Sequence, residues 1–124
     1  KAAAELLVDP AEHLIVRLGP MYSPELKKGV LVDIREGKKV FVDGKSRYCF
    51  APLQFNAIWI SSHLDRRGVV EVGARNSIAL QDLAAELGVS ASFEGALDHQ
   101  EIVSPESDFP DARDVIAFMD KWTP

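Results

Sequence analysis

The sequence has few of the features that mark secreted or membrane-spanning proteins. It contains a single cysteine, Cys49, so no internal disulfide can form, and we expect a reducing compartment. No apolar run approaches the roughly 20 residues that are needed to span a bilayer, so we expect no membrane insertion. No signal peptide is recognisable. These absences predict a cytoplasmic protein.

Motifs for catalysis, cofactors and metals are also missing from the sequence. The three histidines, His13, His63 and His99, lie far apart and do not have the spacing of metal ligands. Residues 68–73 lack the glycine spacing and the lysine of a phosphate-binding loop. A buried structural thiol explains Cys49 better than a nucleophile does. We therefore predict no catalytic residue, no cofactor and no metal.

What the sequence does have is the size and composition of one folded domain. Its 124 residues can bury a core, and its hydrophobic content of 47% is ordinary for a globular protein. The sequence begins with Lys1 rather than Met. We therefore expect a single domain over residues 1–124 that is a piece of a longer polypeptide.

Charge is segregated along the chain, although the net charge is only −5. From Arg17 to Arg75 there are 11 Lys and Arg against 6 Asp and Glu, whereas from Asn76 to Pro124 there are 2 against 10. One interpretation is a scatter of solvated faces. The other is a basic first half and an acidic second half that meet different partners.

Two amphipathic segments organise the chain. In residues 50–64, Pro52 suits the first helical position, and apolar residues recur at helical spacing: Leu53, Ala57, Ile60 and Leu64. The stripe is widened by Phe55, Ile58 and Trp59, so it predicts a central helix with neighbours on more than one side. Residues 80–87 repeat the helical pattern, and Gly88 supplies a left-handed turn. Leu83, Leu87, Ile60 and Trp59 are the predicted core.

The remaining segments predict an antiparallel sheet ahead of these helices. Residues 13–18 form one strand, and residues 30–35, 38–42 and 46–50 form a meander with turns at Glu36-Gly37 and Asp43-Gly44. Residues 69–72 are a short strand or linker, residues 90–100 a third helix, and residues 111–122 a closing helix. Residues 1–8 are the end of a helix. The predicted class is α+β, with an N-terminal antiparallel sheet of about four strands followed by a three- to four-helix core.

Two stretches within this order resemble one family. Residues 40–55, VFVDGKSRYCFAPLQF, resemble the hairpin and first helix of winged-helix effector domains of bacterial response regulators. Residues 83–90, LAAELGVS, are similar to the second helix and turn of bacterial helix-turn-helix proteins. The resemblance covers about half the chain. It implies a non-enzymatic, winged-helix-like module of a bacterial regulatory protein, which mediates protein–protein interaction or weak DNA binding.

The resemblance also indicates candidate contact residues. In this family the helix after the turn reads DNA bases, but residues 90–100 contain no Lys or Arg. Any DNA contacts are therefore expected from the basic half: Lys38, Lys39, Lys45, Arg47, Arg66, Arg67 and Arg75. A protein partner, or the remainder of the parent chain, is expected to contact an acidic face formed by Glu94, Asp98 and Glu101.

Two alternative interpretations remain open. Residues 66–73 followed by residues 80–93 resemble the second half of the sulfate-transporter/anti-sigma-antagonist domain, with Asp43 and Ser46 as a loose match to its regulatory site. That resemblance implies an interaction domain with an α/β sheet that is regulated by phosphorylation. A small enzyme of unrecognised class is the other alternative. The topology of the sheet distinguishes the first two, because the anti-sigma-antagonist sheet is mostly connected by crossovers.

Overall fold

Helices and strands are interleaved in the computed structural model, which describes residues 8–124. The strands of this part of the chain are β1 (Leu14–Leu18), β2 (Met21–Tyr22), β3 (Lys39–Val40), β4 (Arg47–Tyr48), β5 (Ala51–Pro52), β6 (Gly68–Val72), β7 (Ile78–Ala79) and β8 (Ser92–Phe93). Its helices are α1 (Val30–Glu36), α2 (Leu53–Ser62), α3 (Leu80–Leu87) and α4 (Asp114–Lys121). The predicted helix end at residues 1–8 lies outside the described residues, except for Val8.

The longest strands, β1 and β6, pair in parallel, with Leu14 opposite Gly68 and Leu18 opposite Val72. A parallel pair needs a crossover connection, and α2 lies within the segment that joins these two strands. The pairs β2–β5 and β3–β8 are also parallel, whereas β4–β7 is antiparallel. The predicted N-terminal antiparallel sheet is therefore wrong, although strands at residues 13–18 and 69–72 are confirmed as β1 and β6.

Residues 30–35 are helical, so the strand predicted there is wrong. The helix α1 runs between two glycines with positive φ, Gly29 at 111° and Gly37 at 70°. Gly37 is the left-handed cap that ends α1 and not a hairpin turn. The β-branched residues of this segment follow a helical course because Leu31, Val32 and Ile34 are buried in the core, and burial outweighs their local preference.

The turn at Asp43-Gly44 exists, but it does not close a hairpin. Its geometry is set by Asp43, whose carboxylate oxygen Oδ1 accepts the Lys45 N–H at 2.8 Å. The flanking strands pair elsewhere, because β3 lies beside β8 and β4 lies beside β7. The helix predicted over residues 90–100 is also wrong. This segment contains β8, which pairs with β3, and beside it Glu94 N–H donates to the Val40 carbonyl at 2.9 Å.

The predicted helices around the core are confirmed. Residues 50–64 contain α2, residues 80–87 form α3, which ends at Gly88 in the left-handed conformation, and residues 111–122 contain α4. Leu83 and Trp59 are buried as predicted, and Leu87 and Ile60 are partly buried and pack against the core. A second, smaller cluster joins α2 to the sheet through Trp59, Val72 and Phe109.

The helices of the described residues are short compared with a helix that spans a membrane. The helix α2 has 10 residues, and at 1.5 Å per residue it extends about 15 Å, half the thickness of a bilayer core. Within residues 8–124 no helix has both the length and the apolar character that a membrane crossing requires. The cytoplasmic location stays a prediction.

Leu83 tests the packing of α3. Its side chain is completely buried in the main core, so Leu83→Ala leaves a cavity and is expected to lower the free energy of unfolding by about 2–5 kcal/mol. Urea denaturation measures this loss. Leu97→Ala is the matched control, because Leu97 is 54% exposed and its loss should be much smaller. Equal unfolding midpoints for the two variants would contradict the position of α3.

Substitution of Gly95 tests how closely residues 92–96 pass the backbone that follows β3. Its φ is 141°, and a Cβ atom there would lie 2.5 Å from the Phe41 carbonyl oxygen. Gly88 is the control, because its φ of 67° is also left-handed but a Cβ atom would meet nothing within 4 Å. Gly88→Ala is expected to lower the free energy of unfolding by about 1–2 kcal/mol, and Gly95→Ala is expected to lower it clearly more. Thermal or urea unfolding measures both losses. A larger loss for Gly88→Ala than for Gly95→Ala would contradict the close crossing.

Candidate functional site

A cleft of about 250 Å³ opens where β1 ends. One wall is formed by Arg17 to Pro20, and the opposite side is formed by residues 99–102, with Glu71 of β6 and Cys49 completing the lining. In α/β proteins, ligands bind outside the carboxyl ends of parallel strands. The position of this cleft makes it the candidate functional site.

The floor of the cleft is packed tightly around Cys49. A Cβ atom at Gly19 would lie 2.8 Å from Cys49 Sγ, and one at Gly73 would lie 2.9 Å from Ile102 Cδ1 and 3.6 Å from the same sulfur. Both glycines follow a strand of the parallel pair. Their lack of a side chain lets the ends of β1 and β6 close around the buried thiol, so the floor has little room to change shape.

His99 and Gln100 are held beside the cleft by the backbone of Arg47 in β4 and of Cys49, which follows β4. Cys49 N–H donates to the Gln100 carbonyl at 2.8 Å, and Gln100 N–H donates to the Arg47 carbonyl at 2.8 Å. Arg47 N–H donates to His99 Nδ1 at 3.0 Å. Because Nδ1 accepts this bond, the neutral imidazole carries its proton on Nε2, which is then available as a donor.

A polar network anchors Glu101 at the same place. Arg47 Nε and Nη2 donate to the Ser77 hydroxyl at 3.0 Å and to the Ser77 carbonyl at 2.7 Å. The Ser77 hydroxyl donates to Glu101 Oε2 at 2.5 Å, and Arg47 Nε lies 3.9 Å from that oxygen. The Arg47 and Glu101 side chains are each 45% exposed, so the ion pair adds little stability. The network of Arg47 and Ser77 as a whole holds the Glu101 carboxylate in place.

The electrostatics of the cleft keep its thiol inactive. Burial raises the pKa of Cys49 to about 11, and the negative charges of Glu101 and Glu71 act in the same direction. Burial also raises the pKa of Tyr48 to about 12, and the negative charge of Asp98 acts in the same direction. The Tyr48 hydroxyl donates a hydrogen bond to Asp98 Oδ2 at 3.3 Å. The thiol is therefore protonated at neutral pH. The cleft offers carboxylate acceptors and an imidazole donor, which suit hydrogen bonding to a ligand rather than nucleophilic attack.

Metal binding finds no support in the described residues. No group of three or more His, Cys, Asp or Glu side chains within residues 8–124 is arranged to hold a metal ion. Glu71 is instead engaged by the backbone, since Val103 N–H donates to Glu71 Oε1 at 3.1 Å.

The seven basic residues predicted to contact DNA differ in the partners that they have within the chain. Five pair with acidic side chains, and four of these partners come from the second half of the chain: Lys39 with Glu94 at 2.6 Å, Arg47 with Glu101 at 3.9 Å, Arg66 with Glu106 at 2.7 Å and Arg75 with Asp111 at 3.6 Å. Lys38 pairs with Glu36, Arg67 donates to the carbonyls of Leu64 and Arg66, and Lys45 is exposed. Their contacts with nucleic acid stay an untested prediction.

The three residues of the predicted acidic face make different contacts. Glu94 pairs with Lys39 beside β3, Asp98 accepts the Tyr48 hydroxyl, and Glu101 lines the cleft. Contact of these residues with a protein partner is likewise untested. Of all the predicted site residues, the structure brings only Arg47 and Glu101 to the cleft region, and the cleft-lining residues Arg17, Glu71, His99 and Gln100 were not identified from the sequence.

Similarity to known proteins is visible in the fold and not in the sequence. No known family profile and no curated protein sequence matches the chain. Among solved structures, the NAD-dependent NDP-hexosamine 5,6-dehydratase TunA of tunicamycin biosynthesis matches with a TM-score of 0.63, 15% identity and 87% of this chain. A UDP-N-acetylglucosamine 4-epimerase from Methanobrevibacter ruminantium M1, in complex with UDP-N-acetylmuramic acid, matches with a TM-score of 0.57, 16% identity and 87% of this chain.

A third similar structure is the Bordetella bronchiseptica enzyme WbmG in complex with NAD and UDP, with a TM-score of 0.54, 13% identity and 88% of this chain. In each case the chain spans less than half of the other protein: 44% of the dehydratase, 44% of the epimerase and 43% of WbmG. At such low identity the similarity establishes a shared fold. The described part of the chain therefore has the fold of a segment of these enzymes.

This finding corrects the family and function expected from the sequence. The winged-helix interpretation is wrong, because a winged-helix domain has no parallel β1–β6 pair with a helical crossover, and the structures that match are of another fold. The anti-sigma-antagonist alternative is wrong on the same comparison. The expectation of a non-enzymatic regulatory module, DNA-binding or otherwise, is also overturned, since the proteins that share the fold are enzymes.

Cys49 provides a direct test of the floor of the cleft. With a pKa of about 11 in place of the ordinary 9.0, its thiolate fraction at pH 8 is lower by about a hundredfold, and its burial slows the reaction further. We expect Ellman's reagent to react at least about a hundredfold more slowly with the native chain than with the chain in urea. Comparable rates in the two conditions would show that the thiol is exposed and the cleft differently built.

Proposed function

We propose that this chain is the sugar-binding part of an NAD-dependent enzyme that modifies nucleotide-sugars, of the epimerase or dehydratase kind. The observation that carries the proposal is the cleft at the carboxyl end of β1, in a fold shared with enzymes of that kind. The strand arrangement supports ligand binding at this place, because the chain leaves the parallel strands at that edge and a cleft lies there.

Within residues 8–124 the arrangement of strands and helices does not fit the nicotinamide cofactor itself. A dinucleotide pyrophosphate is held at a glycine-rich turn between a strand and a helix N-terminus. In the described residues β1 leads through Gly19-Pro20 into β2, and β6 leads into β7, so neither long strand enters a helix directly. We therefore assign NAD to another part of the enzyme and derive no chemical step through it here.

The cleft is better suited to a neutral sugar than to a diphosphate. Two carboxylates, Glu71 and Glu101, line it together with Arg17 and His99. Carboxylates accept hydrogen bonds from sugar hydroxyls, but they repel the negative charge of a diphosphate. The volume of about 250 Å³ lies below the range of about 300–1,000 Å³ for larger ligands. We assign the sugar ring to the cleft and the diphosphate to a position outside it.

A nuclear magnetic resonance titration of the ¹⁵N-labelled chain tests this proposal. UDP-N-acetylglucosamine is expected to shift the amide signals of Gly19, Gln100 and Glu101 in a saturable way, N-acetylglucosamine is expected to shift the same signals, and NAD is not. Glu71→Gln keeps an acceptor for Val103 N–H but removes a charge-assisted bond to the sugar, so binding should weaken several-fold.

The matched control is Glu86→Gln. Glu86 is an exposed carboxylate that pairs with Arg113 and does not line the cleft, so its substitution should leave the titration unchanged. Three outcomes would contradict sugar binding in the cleft. The amide signals do not shift, they shift with UDP but not with the sugar, or Glu71→Gln and Glu86→Gln change the titration equally.

A further inference from the structure

The helix α2 presents an uncharged face to solvent. Residues 48–64 contain no Asp, Glu, Lys or Arg. On the inner side of α2 Asn56 and Trp59 are buried, and Trp59 packs in a cluster with Val72 of β6. On the outer side Leu53 is 47% exposed and Ile58 is 57% exposed, and Leu64, just beyond the helix, is 64% exposed. The remaining exposed residues of the helix are small or uncharged: Gln54, Ala57, Ser61 and Ser62.

Such a face is unusual for a helix at a protein surface. A surface helix normally combines an apolar stripe with a charged or polar face, and a helix that is hydrophobic all round is normally buried. The helix α3 of the same chain follows the rule, because its exposed positions include Gln81, Asp82 and Glu86. Scattered apolar residues on a surface need no explanation, but α2 exposes its apolar residues on a face without any charge.

The sheet beneath α2 is also small in the described residues. The strands β1 and β6 form a two-stranded parallel sheet, and no other described strand pairs with either outer edge. Parallel sheets occur almost only as larger sheets that are covered on both faces. Val70 packs against the cluster that contains Trp59 of α2. Side chains alternate along a strand, so Val69 lies on the opposite face of the sheet, where it is 44% exposed. Both the helix and the sheet therefore expose apolar surface of the kind that larger α/β folds bury.

We propose that the outer face of α2, formed by Leu53, Ala57, Ile58, Ser61 and Leu64, packs against a segment of the same polypeptide outside these 124 residues. The choice of occupant follows from the comparison of chain lengths. This chain spans 43–44% of the three similar enzymes, so more than half of each lies outside the matched region. The open edges of the parallel sheet show where further strands of such a segment can continue the same layer.

Cysteine labelling tests this interface. Cys49 gives little background because it is buried and its pKa is raised, so Ile58→Cys introduces one reactive thiol on the outer face of α2. The labelling rate with a maleimide is measured in the 124-residue chain and in the full-length product of the natural gene. We expect rapid labelling in the short chain and labelling at least about tenfold slower in the full-length product.

Lys45→Cys is the control, because Lys45 is exposed and lies outside the proposed interface; it should react equally in both proteins. Equal labelling of Ile58→Cys in both proteins, or a gene product that ends with these 124 residues, would overturn the proposal. So would protection that grows with the concentration of the short chain, which would identify a second copy as the occupant. The interface lies outside the cleft and is tested without ligand, so its outcome is independent of the sugar titration.

Discussion

The parallel pairing of β1 with β6 is the constraint on which the rest of the structure depends. It requires a crossover, and α2 in that crossover seats Trp59 against Val72 and Phe109. It also brings the two strand ends to the same edge, where Gly19 and Gly73 close around Cys49. The cleft is a consequence of this pairing, because antiparallel partners would place the two strand ends at opposite edges of the sheet.

The acidic second half of the chain, residues 76–124, pairs with strands of the basic first half, residues 17–75. The strand β8 pairs with β3, and residues 99–101 attach to β4. The charge segregation visible in the sequence is thereby matched internally, with Lys39, Arg66 and Arg75 each beside a carboxylate that comes later in the chain. These partly exposed pairs add little stability, but they leave less uncompensated positive charge on the surface than the sequence alone indicated.

The sequence predicted the elements whose signals are local. Helical spacing located α2, α3 and α4, and β-branched runs located β1 and β6. It failed where a local signal has two meanings. Gly37 follows an apolar, β-branched segment and can close a hairpin or cap a helix, and only the burial of Leu31 and Ile34 decides for the helix. The cleft could not be predicted, because Arg17, Glu71 and His99 meet only after strands distant in sequence have paired.

The long reach of the strand pairing has a consequence for how this chain folds. Leu14 pairs with Gly68, Val40 with Phe93 and Tyr48 with Ile78, so the ladders of the described residues close large loops and not local hairpins. Each closure costs chain entropy before its contacts form, and long-range pairing of this kind favours slow folding. During synthesis, β3 remains without its partner until Phe93 has left the ribosome, and its exposed edge is then open to pairing with other chains.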